Sequence, residues 1–216
     1  MRERIQNVLQ RIAAEPEREA RWLNTVSLLE FIGARKISRT VADRHPTLEV
    51  LQHLADETRH ALAFKRLACE VAGEEVKGYL CPEAAGTYFQ TLDRTLAAWA
   101  AKAVGAQDVQ LSYLLTTTLI EQRAMQIYPL YKAATRNPVV RAELGRVVVE
   151  EQGHRRSIEE ICVEALSLRA GKDLTEPKAI EAELFEGVLQ ALEAEVGTAP
   201  VLVPPPVQAV QLRRER

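Results

Sequence analysis

The run Asp56-Glu57-Thr58-Arg59-His60 has a counterpart in Glu150-Glu151-Gln152-Gly153-His154, and this doubled Glu-x-x-His spacing decides how the chain is read. Residues three apart share a helical face, so each run presents a carboxylate and an imidazole side by side. One segment earlier in each half stands a solitary glutamate in apolar sequence: Glu30 in SLLEFIG and Glu121 in TTTLIEQRAM. Four glutamates and two histidines converging from four helices make the donor set of a dinuclear metal site.

The company these residues keep supports that reading. Helical spacing puts Val26, Gly33 and Ile37 around Glu30, and Val50, Leu54, Ala61 and Phe64 around Glu57. It puts Leu114, Met125 and Tyr128 around Glu121, and Leu144, Val147, Val148, Ile158 and Ile161 around Glu151. All four glutamates therefore fall on apolar stripes, where an uncompensated carboxylate costs several kcal/mol of desolvation. Two divalent cations match four carboxylates in charge. A single Glu-x-x-His pair is commonly solvated helix surface; two pairs with two inward glutamates are not.

The 216 residues, 47% hydrophobic, can bury one sizeable core, and the wealth of Ala, Leu, Glu and Arg favours helices. With 28 basic against 30 acidic residues the charge gives no case for nucleic acid or an anionic membrane. Three scattered cysteines (Cys69, Cys81, Cys162) form neither a disulfide framework nor a CxxC site. No signal peptide and no run of about 20 apolar residues is evident, so a cytoplasmic protein is expected.

Punctuation along the chain predicts an all-α domain over residues 1–196, its core bundle about 17–171, and an extended Pro-rich tail over 197–216. Helices are expected from Arg2 to Ala14, from Pro16 towards Ile37, and from Thr47 to about Gly73. Glu74 to Gly86 reads as loop, then Tyr88 to Val104, Asp108 to Thr135 and Asn137 to about Gly171 read as helices. Thr175-Glu176-Pro177 opens a last helix to Val196. Two helix pairs separated by a long insertion fit a four-helix bundle with one long crossover, with extra N-terminal, crossover and C-terminal helices.

From Trp22 to Leu168 the pattern resembles the ferritin-like di-iron carboxylate superfamily of rubrerythrins, bacterioferritins and oxygen-activating hydroxylases. The resemblance implies Glu57 and Glu151 as bridging ligands, Glu30 and Glu121 as terminal ligands, and His60 and His154 one to each metal. It also implies that Asp56 and Glu150, each just before a motif glutamate, hydrogen-bond the histidine of the opposite motif and set its tautomer. Two iron ions are the expected cofactor, with manganese or a mixed Mn/Fe pair also suited to this oxygen-rich set.

Three functions are open: an oxygenase or peroxidase on a small or carrier-borne substrate, a ferroxidase, iron-storage or detoxification protein, and a non-catalytic metal-stabilised helical interaction protein. The first needs an external electron donor, since the chain lacks a CxxC rubredoxin module. Thr58 stands where bacterioferritins carry their haem methionine, and the insertion is long for a cage subunit. A homodimer is a further expectation.

Other residues remain open between chemistry and packing. His53, one turn before Glu57, is a partner behind the ligands, a cavity residue or a structural histidine. Thr117 and Thr118 could line a pocket, and Tyr128 could hydrogen-bond a ligand or carry a radical. Gly33 and Gly153, costly in helices, suggest close helix approach or a local bulge.

Overall fold

The computed structural model describes residues 1–41 and 45–197, apart from the side chains of Val41, His154 and Ser157. These residues form an all-α protein of seven helices: α1 (Arg2–Ile12), α2 (Pro16–Val41), α3 (Leu48–Ala72), α4 (Pro82–Val104), α5 (Val109–Ala134), α6 (Pro138–Ala170) and α7 (Thr175–Val196). Apart from Gly197, the expected tail lies outside the described residues, as does the start of the α2–α3 connection.

Local chemistry explains most of the boundaries. Thr47, Asp108 and Asn137 accept hydrogen bonds from the first free N–H groups of α3, α5 and α6. Gly73 and Gly105, at φ 74° and 81°, close α3 and α4 in the left-handed conformation that a Cβ disfavours. The reading of Glu74 to Gly86 as one loop fails at its end. Pro82 is the first residue of α4, preceded by Cys81 at φ 47°, so Gly86 is helical. Helix α5 runs on through Pro129, and α2 passes Ile37 to Val41.

Helices α2 and α3 are antiparallel partners. Lys65 Nζ donates to Asn24 Oδ1 at 2.8 Å, and Ser27 Oγ to the Ala61 carbonyl at 2.7 Å, so α3 descends as α2 rises. The α5–α6 pair repeats this, with Arg169 on Asp108 at 2.6 Å and Gln122 on Glu159 at 2.9 Å. The two pairs meet through α2–α5 and α3–α6, and the core runs between them.

Helices α1, α4 and α7 pack along one flank. Arg4 reaches Glu186 at 2.8 Å and Glu193 at 2.7 Å, clamping α1 to α7. Arg11 donates to the Gly197 carbonyl at 2.7 Å, satisfying an orphan acceptor at the α7 end. The 73–81 connection is held on α2, where Thr25 Oγ1 exchanges hydrogen bonds with both Leu80 backbone groups and Asn24 donates to the Gly78 carbonyl.

One buried ion pair ties this flank to the bundle. Arg123 forks onto both oxygens of Glu181 at 2.8 and 2.6 Å, and Tyr88 donates to the same carboxylate at 2.6 Å. Arg123 is 6% and Glu181 5% exposed, and Phe185 lies under the guanidinium at 4.0 Å. Removing one partner strands the other charge, so Glu181→Ala should cost about 3–5 kcal/mol in urea unfolding. A loss below about 1 kcal/mol would mean that water reaches Arg123.

Candidate metal centre

Helix α2 supplies Glu30 to the middle of the bundle, α3 supplies His53, Glu57 and His60, α5 supplies Glu121, and α6 supplies Glu151. All six are buried, from 0% exposure at His60 to 9% at Glu57. They fall into two groups of three. Ligand atoms of Glu30, His60 and Glu151 all lie within 4.8 Å of one another, as do those of His53, Glu57 and Glu121. Among the described residues, four carboxylates from four helices thus converge where water is excluded.

The His60 ring is the most telling member. Its Nε2 lies 2.8 Å from Glu150 Oε2. An ionised carboxylate only accepts, so the assigned proton sits on Nε2. Nδ1 then faces Glu151 Oε1 at 2.9 Å and Glu30 Oε2 at 4.0 Å without hydrogen-bond geometry. A neutral imidazole would point a lone pair at two carboxylates, which is repulsive unless a cation stands between them. Without metal that cation is a proton: burial opposes it, but Glu151 and Glu30 prevail and raise His60 to about 9.

The carboxylates carry the same tension. Burial first, then the charges of Glu57 and Glu151, push Glu30 well above the usual carboxylate range. Burial first, then Glu151, does the same for Glu121, whose Oε2 finds no donor among the described residues. The Tyr128 hydroxyl donates to Glu30 Oε1, and burial followed by the Glu30 charge raises that phenol. Glu150 sits at the edge. Against the upward push of desolvation, hydrogen bonds from His60 and Arg59 lower it.

His53 lies in the cavity wall with its Nε2 3.2 Å from both Glu57 Oε1 and Glu121 Oε1, inside the second group. Its position four residues before Glu57 was the available signal, and it reads equally well as a packing contact. Asp56 accepts from Arg59 at 2.7 Å, and Arg59 also reaches Glu150 at 3.0 Å. The side chain of His154, the second motif histidine, lies outside the described residues.

Gly33 does mark a close approach, since a Cβ there would lie 2.7 Å from Glu57 Oε2. Gly153 does not, because nothing among the described residues would lie within 4 Å of its Cβ. Ile161, placed on the inner stripe by periodicity, is 43% exposed. Tyr113, whose hydroxyl is 3.4 Å from His53 Nδ1, carried no sequence signal at all.

A cavity of about 140 Å³ meets the centre, with Glu30, His53, Glu57, Glu121 and Glu151 in its wall. Thr116 and Thr117 line it, whereas Thr118 is fully buried and its hydroxyl has no hydrogen-bond partner among the described residues. Compared with protein-family models, curated proteins and solved structures, the chain finds no match. Among the described residues no helix is long and apolar enough to cross a membrane.

Proposed function

We propose that the chain is a ferritin-like di-metal oxidoreductase that activates dioxygen or peroxide, with iron as the metal pair. The observation that carries this reading is His60 Nδ1, held by Glu150 in a tautomer that aims a lone pair at Glu30 and Glu151. A divalent cation relieves this arrangement, and the donor set of carboxylates and imidazoles suits iron or manganese.

Glu30, His60 and Glu151 would hold one ion, and His53, Glu57 and Glu121 the other, with His154 as a further ligand suggested by the sequence. Two ferrous ions in such a site supply one electron each to dioxygen or peroxide. The chain's own residues do the rest. Glu150 keeps the His60 proton on Nε2 and frees Nδ1. The Tyr113 oxygen can accept a hydrogen bond from His53 Nδ1–H, which keeps the proton there and leaves Nε2 free for ligation. Tyr128 fixes the Glu30 carboxylate through its hydroxyl, and so acts as a positioning residue. Burial of the whole set excludes water and strengthens every charge interaction in it.

An iron-storage role needs a polar route for the ion, whereas the wall of the adjoining cavity is mostly aliphatic and aromatic. That contrast favours an organic substrate and an external electron donor. Rapid mixing of the anaerobic ferrous protein with O₂ or H₂O₂ tests the reading. Oxidation should deliver two electrons per chain to the oxidant and should vanish in Glu57→Ala. Ferrous iron that oxidises no faster than in buffer would refute redox work at this site. A large hollow assembly in light scattering would favour storage.

A further inference from the structure

The cavity beside the centre has a shape as well as a polarity. On α2 its wall runs through Trp22, Val26, Leu29, Gly33 and Ile37, about 22 Å of helix at about 1.5 Å per residue. On α5 it runs from Thr116 through Ile120, Ala124 and Ile127 to Tyr128, about 18 Å. Leu9 of α1, Phe89 of α4 and Leu189 of α7 complete it. Its volume, 140 Å³, is close to that of a compact cavity that takes one benzene. A volume that small spread over that length is a narrow passage. The metal-binding glutamates enter it partway along, Glu30 falling between Trp22 and Ile37.

The described cations of its wall offer no free charge to an anionic ligand. Lys36 is taken by Asp93, and Arg123 by Glu181. Trp22 is 6% exposed, and its indole N–H is buried without an acceptor among the described residues.

We propose that the organic substrate of the centre is a straight, unbranched aliphatic chain threaded along this passage past Glu30, Glu57, Glu121 and Glu151. The inference rests on the metal-centre reading for what the chain meets there, but its binding can be read without metal. Rings and branched carbon skeletons are excluded by width, and anionic substrates by the pairing of Lys36 and Arg123 with carboxylates. Each methylene leaving water for the passage contributes about a fourfold gain in affinity, and the gain continues as long as the passage does.

Trp22 provides the readout. In the full chain carrying Trp99→Phe, with and without ferrous iron, Trp22 emission is followed during titration with 1-butanol, 1-hexanol, 1-octanol and 1-decanol. Affinity should rise about fourfold per carbon through 1-octanol. Cyclooctanol, too wide for the passage, should bind at least about tenfold more weakly than 1-octanol. Ala124→Phe should abolish chain binding while leaving metal stoichiometry unchanged.

A plateau at 1-hexanol, equal binding of cyclooctanol, or no Trp22 response would overturn the proposal, whether or not Ala124→Phe folds. Metal content separates the two readings. A protein that binds metal but no chain refutes this inference alone, and one that binds the chain but no metal refutes the metal-centre reading and with it the substrate role.

Discussion

Ferrous iron added anaerobically should raise the melting temperature by about 10–20 °C near pH 8 and by far less near pH 5. Two sites, each filled at about a hundredfold over its Kd, contribute about 5 kcal/mol, and each kcal/mol moves a chain of this size by about 2–4 °C. The pH dependence follows from the direction of the shifts. In the metal-free protein, burial raises Glu30 and Glu121, and Glu151 and Glu30 raise His60 to about 9 against its burial.

Groups raised on folding stabilise fully below their unfolded pKa values, about 4.3 for Glu and 6.5 for His, and lose that contribution as pH climbs through the folded values. The metal-free protein therefore weakens at this site from about pH 5 upward. Metal-bound carboxylates and imidazoles behave oppositely: they must be deprotonated, and protons compete them away as pH falls. Groups remote from the site affect both forms alike and cancel in the difference. Thermal melts with and without iron across this range should diverge with rising pH. Parallel curves would mean that the buried carboxylates are not the binding groups.

Gly33→Ala should weaken metal binding by about 10–100-fold while leaving the metal-free fold as stable as before, or more so. A Cβ at this position would lie 2.7 Å from Glu57 Oε2, closer than real contacts allow, so the carboxylate must swing aside. The affinity loss is that typical of a misplaced ligand. Alanine in place of glycine favours the helix by about 1 kcal/mol, which offsets the displacement when no metal is present. A substitution that merely damaged packing would lower both quantities together. Competition with a coloured chelator gives the affinity, and a thermal melt gives the stability. Unchanged affinity would show that Glu57 has room to ligate from elsewhere.

The helices were legible because their signals are local. Caps such as Thr47, Asp108 and Asn137, and the closing Gly73 and Gly105, act within one turn of the residues they delimit. The burial of Glu30, Glu57, Glu121 and Glu151 was legible for the same reason, since the period of a helix assigns its inner face. What escaped depends on which helix faces which. His53 joins Glu57 and Glu121 only because α5 brings Glu121 across to α3. Arg123 looks like a surface residue until Glu181 of α7, far away in sequence, folds over it. The passage was invisible because its wall is assembled from the apolar stripes of several helices, each of which reads as ordinary core.

The most direct test of the paired-cation site is a count of bound metal. The purified protein, titrated anaerobically with ferrous iron and assayed by elemental analysis after desalting, should retain two ions per chain, and Glu57→Ala or Glu151→Ala at most one. Retention of none by the unaltered protein at micromolar iron, or an unchanged count in both variants, would contradict it.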